Sequence, residues 1–256
     1  MSFKKVLLSL TVMALVVGGL SLPSFAQQQR TRNFALVIDQ SGEMQQTYHN
    51  DSKHRLARDL GKKFLQNVPK DLTLEGAIYM YGIVAAEDKH QILRVQGFTP
   101  FKRGQFLKEY NEVKPQTGPP SLSVVLRALR GDMDKVKGKS RTSVIIISGG
   151  SLTDPGDPVR EAKQLGDVYK NMCFYTVLVG KSKMGGKRLK EINRQGGNCG
   201  IRTTGDDLDS NKGMKRFINH IFYKKTAKDD DNDGVINKND QCPNTPIGAN
   251  VDARGC

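Results

Sequence analysis

The chain has 256 residues, 40 Lys and Arg against 26 Asp and Glu, and a formal net charge of +14. That length accommodates one domain of ordinary size with extensions, and the charge excess attracts anions rather than cations. Its four cysteines and four histidines include no Cys-x-x-Cys and no metal-ligand spacing, which argues against a zinc centre.

At the N-terminus, Lys4 and Lys5 precede an apolar run from Val6 to Leu20, and Ser24-Phe25-Ala26 sets small residues just ahead of Gln27. This is the pattern of a secretory signal peptide over residues 1–26. A membrane span needs about 20 apolar residues. The run here is shorter, is broken by Gly18 and Gly19, and has no lipidation cysteine after the cleavage position. The expectation is an exported chain with no transmembrane span once processed, located in the periplasm, at the outer membrane or on the cell surface. Such a compartment is oxidising, so the cysteines are expected to pair.

Between Asn33 and about Lys225 the apolar pattern alternates between short continuous runs and helical spacing. The runs are Phe34–Ile38, Ile78–Tyr81, Val144–Ile147 and Phe174–Val179. Strands apolar at every position are buried on both faces, which predicts a mostly parallel sheet covered by helices. Helical spacing links Leu56, Leu60 and Phe64, then Leu122, Leu126, Leu129, Met133 and Val136, then Leu165, Val168 and Met172. A doubly wound α/β fold is the predicted class. Cys173 and Cys199 fall at the starts of two predicted neighbouring strands and form one expected disulfide.

The segment NFALVIDQSGEM over Asn33–Met44 resembles the first strand and following loop of the von Willebrand factor type A domain. The likeness continues in TGPPSLSVVLRAL before the third large helix, in SVIIISGG on the fourth strand, and in CFYTVLVG with LKEINRQGGNCG. It implies a divalent ion above the sheet, held through an Asp-x-Ser-x-Ser motif, a threonine and an aspartate. Asp39 and Ser41 match that motif, but Glu43 stands at the second serine, Pro120 beside Ser121 at the threonine, and Gly149 at the aspartate. Glu43 could supply an oxygen, and Asp154 or Asp157 could reach in from the next loop. The other reading is that Asp39 and Ser41 cap the first helix or pin the loop after the first strand.

The tail reads Asp229-Asp230-Asp231-Asn232-Asp233-Gly234, followed by Asp240 and Cys242. Oxygen side chains at loop positions 1, 3 and 5, glycine at 6 and a carboxylate at 12 suit a hard cation, calcium above all. Val235 would add a backbone carbonyl, Asn237 a water-mediated or amide contact, and Asp240 the closing carboxylate. The whole segment Asp229–Cys256 resembles the thrombospondin type 3 repeat of exported bacterial proteins of the outer-membrane-protein-A (OmpA) family. That resemblance implies calcium on Asp229, Asp231, Asp233 and Asp240, and a disulfide between Cys242 and Cys256. Many relatives continue into a peptidoglycan-binding domain, whereas this chain stops at Cys256, so a direct cell-wall anchor is not implied.

Basic clusters occur at Lys53, Arg55, Arg58, Lys62 and Lys63, at Lys135, Lys137, Lys139 and Arg141, and at Lys181, Lys183, Lys187, Arg188 and Lys190. The second precedes a strand and the third follows one, so they belong at opposite ends of the sheet and read as dispersed solubilising charge. Catalysis finds little support. His49, His54, His90 and His220 make no ligand pattern, Gly149-Gly150-Ser151 has no defined base, and Gln195-Gly196-Gly197 lacks the ending of a phosphate loop. The expected function is therefore non-enzymatic: an exported calcium-binding module that engages an envelope or extracellular protein, or acts as a scaffold. The alternative is a surface binder of lipopolysaccharide or anionic polysaccharide through the basic patches, with no role in nucleic-acid binding.

Overall fold

The computed structural model describes residues 29–83, 92–114, 117–136, 138, 140–197, 199–224, 229–246 and 249–256. The leader assigned to residues 1–26, and His90, Lys137 and Lys139, lie outside the described residues. In chain order, β1 (Thr31–Asp39) leads through a 3-10 turn at Gly42–Gln45 to the small hairpin β2 (Thr47–Tyr48) and β3 (Asp51–Ser52), then to α1 (Lys53–Asn67). Next come β4 (Glu75–Tyr81), β5 (Ile92–Pro100), α2 (Arg103–Glu112) and α3 (Leu122–Met133). The remainder is β6 (Arg141–Ser148), α4 (Pro158–Val168), β7 (Met172–Leu178), α5 (Lys183–Arg194), β8 (Arg202–Thr204), α6 (Gly205–Asp209) and α7 (Asn211–Phe222).

The main sheet runs β5-β4-β1-β6-β7-β8, with parallel pairing except between β4 and β5. The continuous apolar runs behave as the sequence predicts, because β1 sits centrally with Leu36 opposite both Ile78 and Ile145. Alternate β1 residues serve two cores, as the strand period requires. Phe34, Leu36 and Ile38 pack with Leu60 and Phe64 of α1, Phe106 of α2 and Phe217 of α7. Ala35 and Val37 pack on the opposite face with Leu126 of α3, Leu165 of α4 and Ile192 of α5.

Two local expectations change. Val168, assigned to a buried helical stripe, ends α4 and is 57% exposed. Met172, assigned to the same stripe, instead begins β7 opposite Thr142 and is buried there. The chain turns at Tyr169, whose N–H still bonds the Leu165 carbonyl, so the helical spacing breaks before Met172. Sheet pairing, a long-range interaction, overrides the local period.

Both disulfides are formed, Cys173–Cys199 and Cys242–Cys256, each with Cα atoms 5.3 Å apart. Cys173 lies on β7, whereas Cys199 sits in the turn before β8 rather than on the strand. The tail docks on α7, where Lys212 and Arg216 donate to the carbonyls of Val251 and Ala249. Among the described residues no helix is long and apolar enough to cross a membrane.

Candidate functional site

Two candidate centres lie at different places in the fold. The first is the crevice above the C-terminal ends of β1 and β6, where the strand order reverses and where partners of open α/β sheets dock. Asp39, the last residue of β1, is buried with both oxygens engaged. Its Oδ1 accepts from the Ser41 N–H at 2.9 Å, and its Oδ2 accepts from Ser148 Oγ at 2.7 Å and the Gly149 N–H at 3.3 Å. Tyr81 donates in turn to Ser148 Oγ at 2.8 Å. Asp39 thus pins the loop after β1, one of the two roles expected of it. Helix α1 is capped instead by Ser52, whose Oγ accepts from the Arg55 N–H.

The residues that could have completed a cation site are used otherwise. Glu43 Oε1 accepts from Ser151 Oγ and Thr153 Oγ1, both at 2.8 Å, which ties the 3-10 turn to the loop after β6. Asp154 accepts from the Ser123 N–H in the first turn of α3, and Asp157 caps α4. Gly149 offers no side chain, and a Cβ there would come within 3.0 Å of the Met44 sulfur. Lys53 lines the same cavity of about 260 Å³ with Asp39 and Glu43. A soft thioether and an ammonium are poor company for Mg²⁺, which demands octahedral oxygen donors. Although Ser41 Oγ is buried without a hydrogen-bond partner, the donor set of Asp39, Ser41 and Glu43 does not fit the ion that the fold implies.

Beside this crevice, His54 Nε2 lies 2.7 Å from Gln40 Oε1. Burial, then repulsion from Arg58, holds the imidazole below its ordinary pKa, with Asp39 opposing the shift.

The second centre is the acidic tail. Asp229, Asp231 and Asp233 each present a carboxylate oxygen within 4.8 Å of the others, close enough to hold a metal ion. Asp233 is buried; its Oδ1 accepts from the Val235 N–H at 2.7 Å, while Oδ2 is buried with no hydrogen-bond partner. An anionic oxygen so placed is costly without a cation. Gly234 turns the loop with φ of +95°, in the left-handed region that glycine adopts freely.

Asp240, expected to close the loop, approaches Asp233 but stands outside the three mutually close carboxylates. A Cβ at Gly255, where φ is +83°, would fall 2.0 Å from Asp240 Oδ1 and 2.7 Å from Asp233 Oδ2. Only a glycine admits both carboxylates at that turn. Asn237 is directed elsewhere: it donates to Asp230 Oδ2 at 2.6 Å and accepts from the Asp230 N–H at 2.8 Å.

Two further residues shape this centre, and the loop spacing points to neither. The Thr245 N–H donates to Asp231 Oδ2 at 2.8 Å, and its Oγ1 donates to the Gly255 carbonyl at 2.8 Å. Arg216 of α7, largely buried, lies near enough to feel Asp233, Asp229 and Asp231, whose attraction opposes the lowering of its pKa by burial. The basic clusters, by contrast, are partly spent. Arg55 pairs with Asp51 at 3.0 Å, Arg58 stacks over the Tyr110 ring at 5.5 Å, and Lys135 pairs with Asp132 at 3.4 Å.

No known family profile matches the chain. Two curated relatives, the uncharacterized proteins YwmC and YwmD of Bacillus subtilis, are 27% and 26% identical over 168 and 170 residues. These matches cover 61% and 63% of this chain and 74% of each relative. Over 31 residues, 12% of this chain and 2% of the other, it is 75% identical to an alpha-agarase of Thalassotalea agarivorans. Among solved structures, proximal thread matrix protein 1 from the mussel byssus superposes with a TM-score of 0.56 at 15% identity, over 76% of this chain and 49% of that one. A further structure of the mussel protein, described with a zinc-occupied MIDAS motif, has a TM-score of 0.55 at 14% identity, over 76% of this chain and 49% of that one. The SpRpn10 VWA domain gives 0.54 at 13% identity, over 74% and 94%. The chain thus spans about half the length of the mussel proteins. The described α/β domain has the fold of a von Willebrand factor type A domain.

Proposed function

We propose that this chain is an exported, calcium-binding module of the cell envelope that engages a protein partner or serves as a scaffold, without catalysis of its own. The observation that carries the metal part is Asp233 Oδ2, buried and unpaired beside Asp229 and Asp231. Carboxylate donors on a glycine-turned loop favour calcium over softer ions. Asp240 would join the three carboxylates, and the Cys242–Cys256 bond would keep the loop folded in a compartment that permits disulfides. The protein-binding part rests on the fold, commonly a protein-interaction module, and on the open strand ends above Asp39.

Calorimetric titration of the processed full chain tests the metal, with an expected affinity of about 10⁻⁴ to 10⁻³ M as in extracellular modules. No heat at millimolar calcium would remove the metal. Pull-down from envelope extracts with and without chelator tests the partner, and failure to recover any protein in either condition counts against a binding role. Fractionation of cells expressing the tagged chain tests export; retention of an uncleaved product in the cytoplasm would sink that part.

A further inference from the structure

At the end of the sheet opposite Asp39, where β1, β6 and β7 begin, lies a cavity of about 780 Å³. Arg30 and Arg32 from the start of β1, Arg141 from the start of β6 and Lys224 beyond α7 line it, and Asp230 of the tail closes one side. Among the described residues four cations therefore meet one carboxylate, and that carboxylate already accepts from Asn237 Nδ2.

The guanidinium of Arg30 is held in place, since Nη1 donates to the His220 carbonyl and Nη2 to the Cys199 carbonyl, both at 3.1 Å. Arg141 is half-buried beside it, and among the described residues its side chain has no hydrogen bond or ion pair. Burial and then the neighbouring Arg30 charge push the Arg141 pKa down, against a smaller effect of Tyr175. Arg32 and Lys224 are exposed and likewise unpaired among the described residues. Two neighbouring guanidinium groups, with Asp230 the single carboxylate among the described lining residues, repel one another. Their planar forks match the tetrahedral oxyanions of phosphate and sulfate, and a fixed fork loses little freedom on binding.

We propose that this cavity binds a phosphate or sulfate ester carried on a sugar-sized ligand. Arg30 and Arg141 hold the oxyanion, while Arg32 and Lys224 add attraction at the mouth. The volume lies in the range of small-ligand sites, roughly 300–1,000 Å³, and exceeds what a bare oxyanion fills. None of these four residues is a proposed calcium ligand or belongs to the crevice at Asp39, although Asp230 and Asn232 of the tail border the cavity.

The test uses the processed full chain at low ionic strength, titrated calorimetrically with glucose 6-phosphate, glucose 6-sulfate, inorganic phosphate and glucose. Binding of at least one ester, weaker binding of inorganic phosphate and no binding of glucose are expected. The two esters separate phosphate from sulfate preference. Arg141→Gln should weaken ester binding by about tenfold or more. It should also raise the melting temperature of the ligand-free protein, because repulsion from Arg30 is relieved, and abolish the further rise caused by ester. A residue of purely structural value would lower that melting temperature. The exposed pair Arg32→Gln and Lys224→Gln, remote from the core, should weaken binding and flatten its salt dependence. Lys187→Gln, at the other end of the sheet, should leave affinity within about twofold. The proposal is overturned if neither ester binds, if glucose or inorganic phosphate binds as well as the esters, or if Arg141→Gln leaves affinity unchanged.

Discussion

Asp39 shows how a single residue can keep its place in a motif while changing its work. Its carboxylate satisfies a buried N–H, a partly buried N–H and the Ser148 hydroxyl, so Asp39→Ala strands all three donors. The expected loss is about 2–4 kcal/mol of stability, read by urea unfolding, and chelator should not change it. Asp233 presents the opposite case, a buried oxygen without a protein partner. Asp233→Asn removes that charge, and calcium affinity by calorimetry should fall by at least about tenfold. His54 adds a pH dependence. Its folded pKa is depressed, so the unfolded chain takes up a proton first. The stability due to neutral His54 is complete above the unfolded value of about 6.5 and is lost as pH falls below it through the lower folded value. Urea midpoints measured against pH should drop on that acid limb, and His54→Gln should flatten the drop.

Elements show where local pattern suffices and where it fails. Four apolar runs mark β1, β4, β6 and β7 because strands buried on both faces need no alternation. The edge strand β5 carries partly exposed, mixed residues and gives no such signal. Leu165 and Val168 share a helix, yet Val168 faces solvent, since apolar spacing cannot reveal which way a helix end turns. The tail depends on its staple. Some 28 residues cannot bury an adequate core alone, and replacing Cys242 and Cys256 with serine should remove roughly 3 kcal/mol from the tail by the loop-entropy argument. Faster proteolysis within Asp229–Cys256 while β1–β8 stay protected is the expected readout. Arg216→Ala should release the tail in the same assay with the disulfide intact, because its bond to the Ala249 carbonyl is part of the docking.

Across the whole molecule, two ends of one sheet are chemically distinct. The C-terminal strand ends hold the altered type A crevice with its acid, thioether and ammonium groups, and the N-terminal ends hold the arginine-lined cavity beside the acidic tail. The basic residues Lys53–Lys63 looked like one patch in the sequence, but folding pairs Arg55 with acids and lays Arg58 on an aromatic ring. Arg30 and Arg141 never stood together in the sequence, and among the described residues neither forms an ion pair. By itself the sequence determined the α/β class and the convergence of three tail carboxylates, since burial periodicity and a glycine-turned loop are short-range properties. Which charges are satisfied, which glycine admits Asp240 beside Asp233, and which arginines gather at one cavity were decided only by the tertiary structure. These outcomes depend on neighbours brought together from distant parts of the chain, and local spacing carries no information about them.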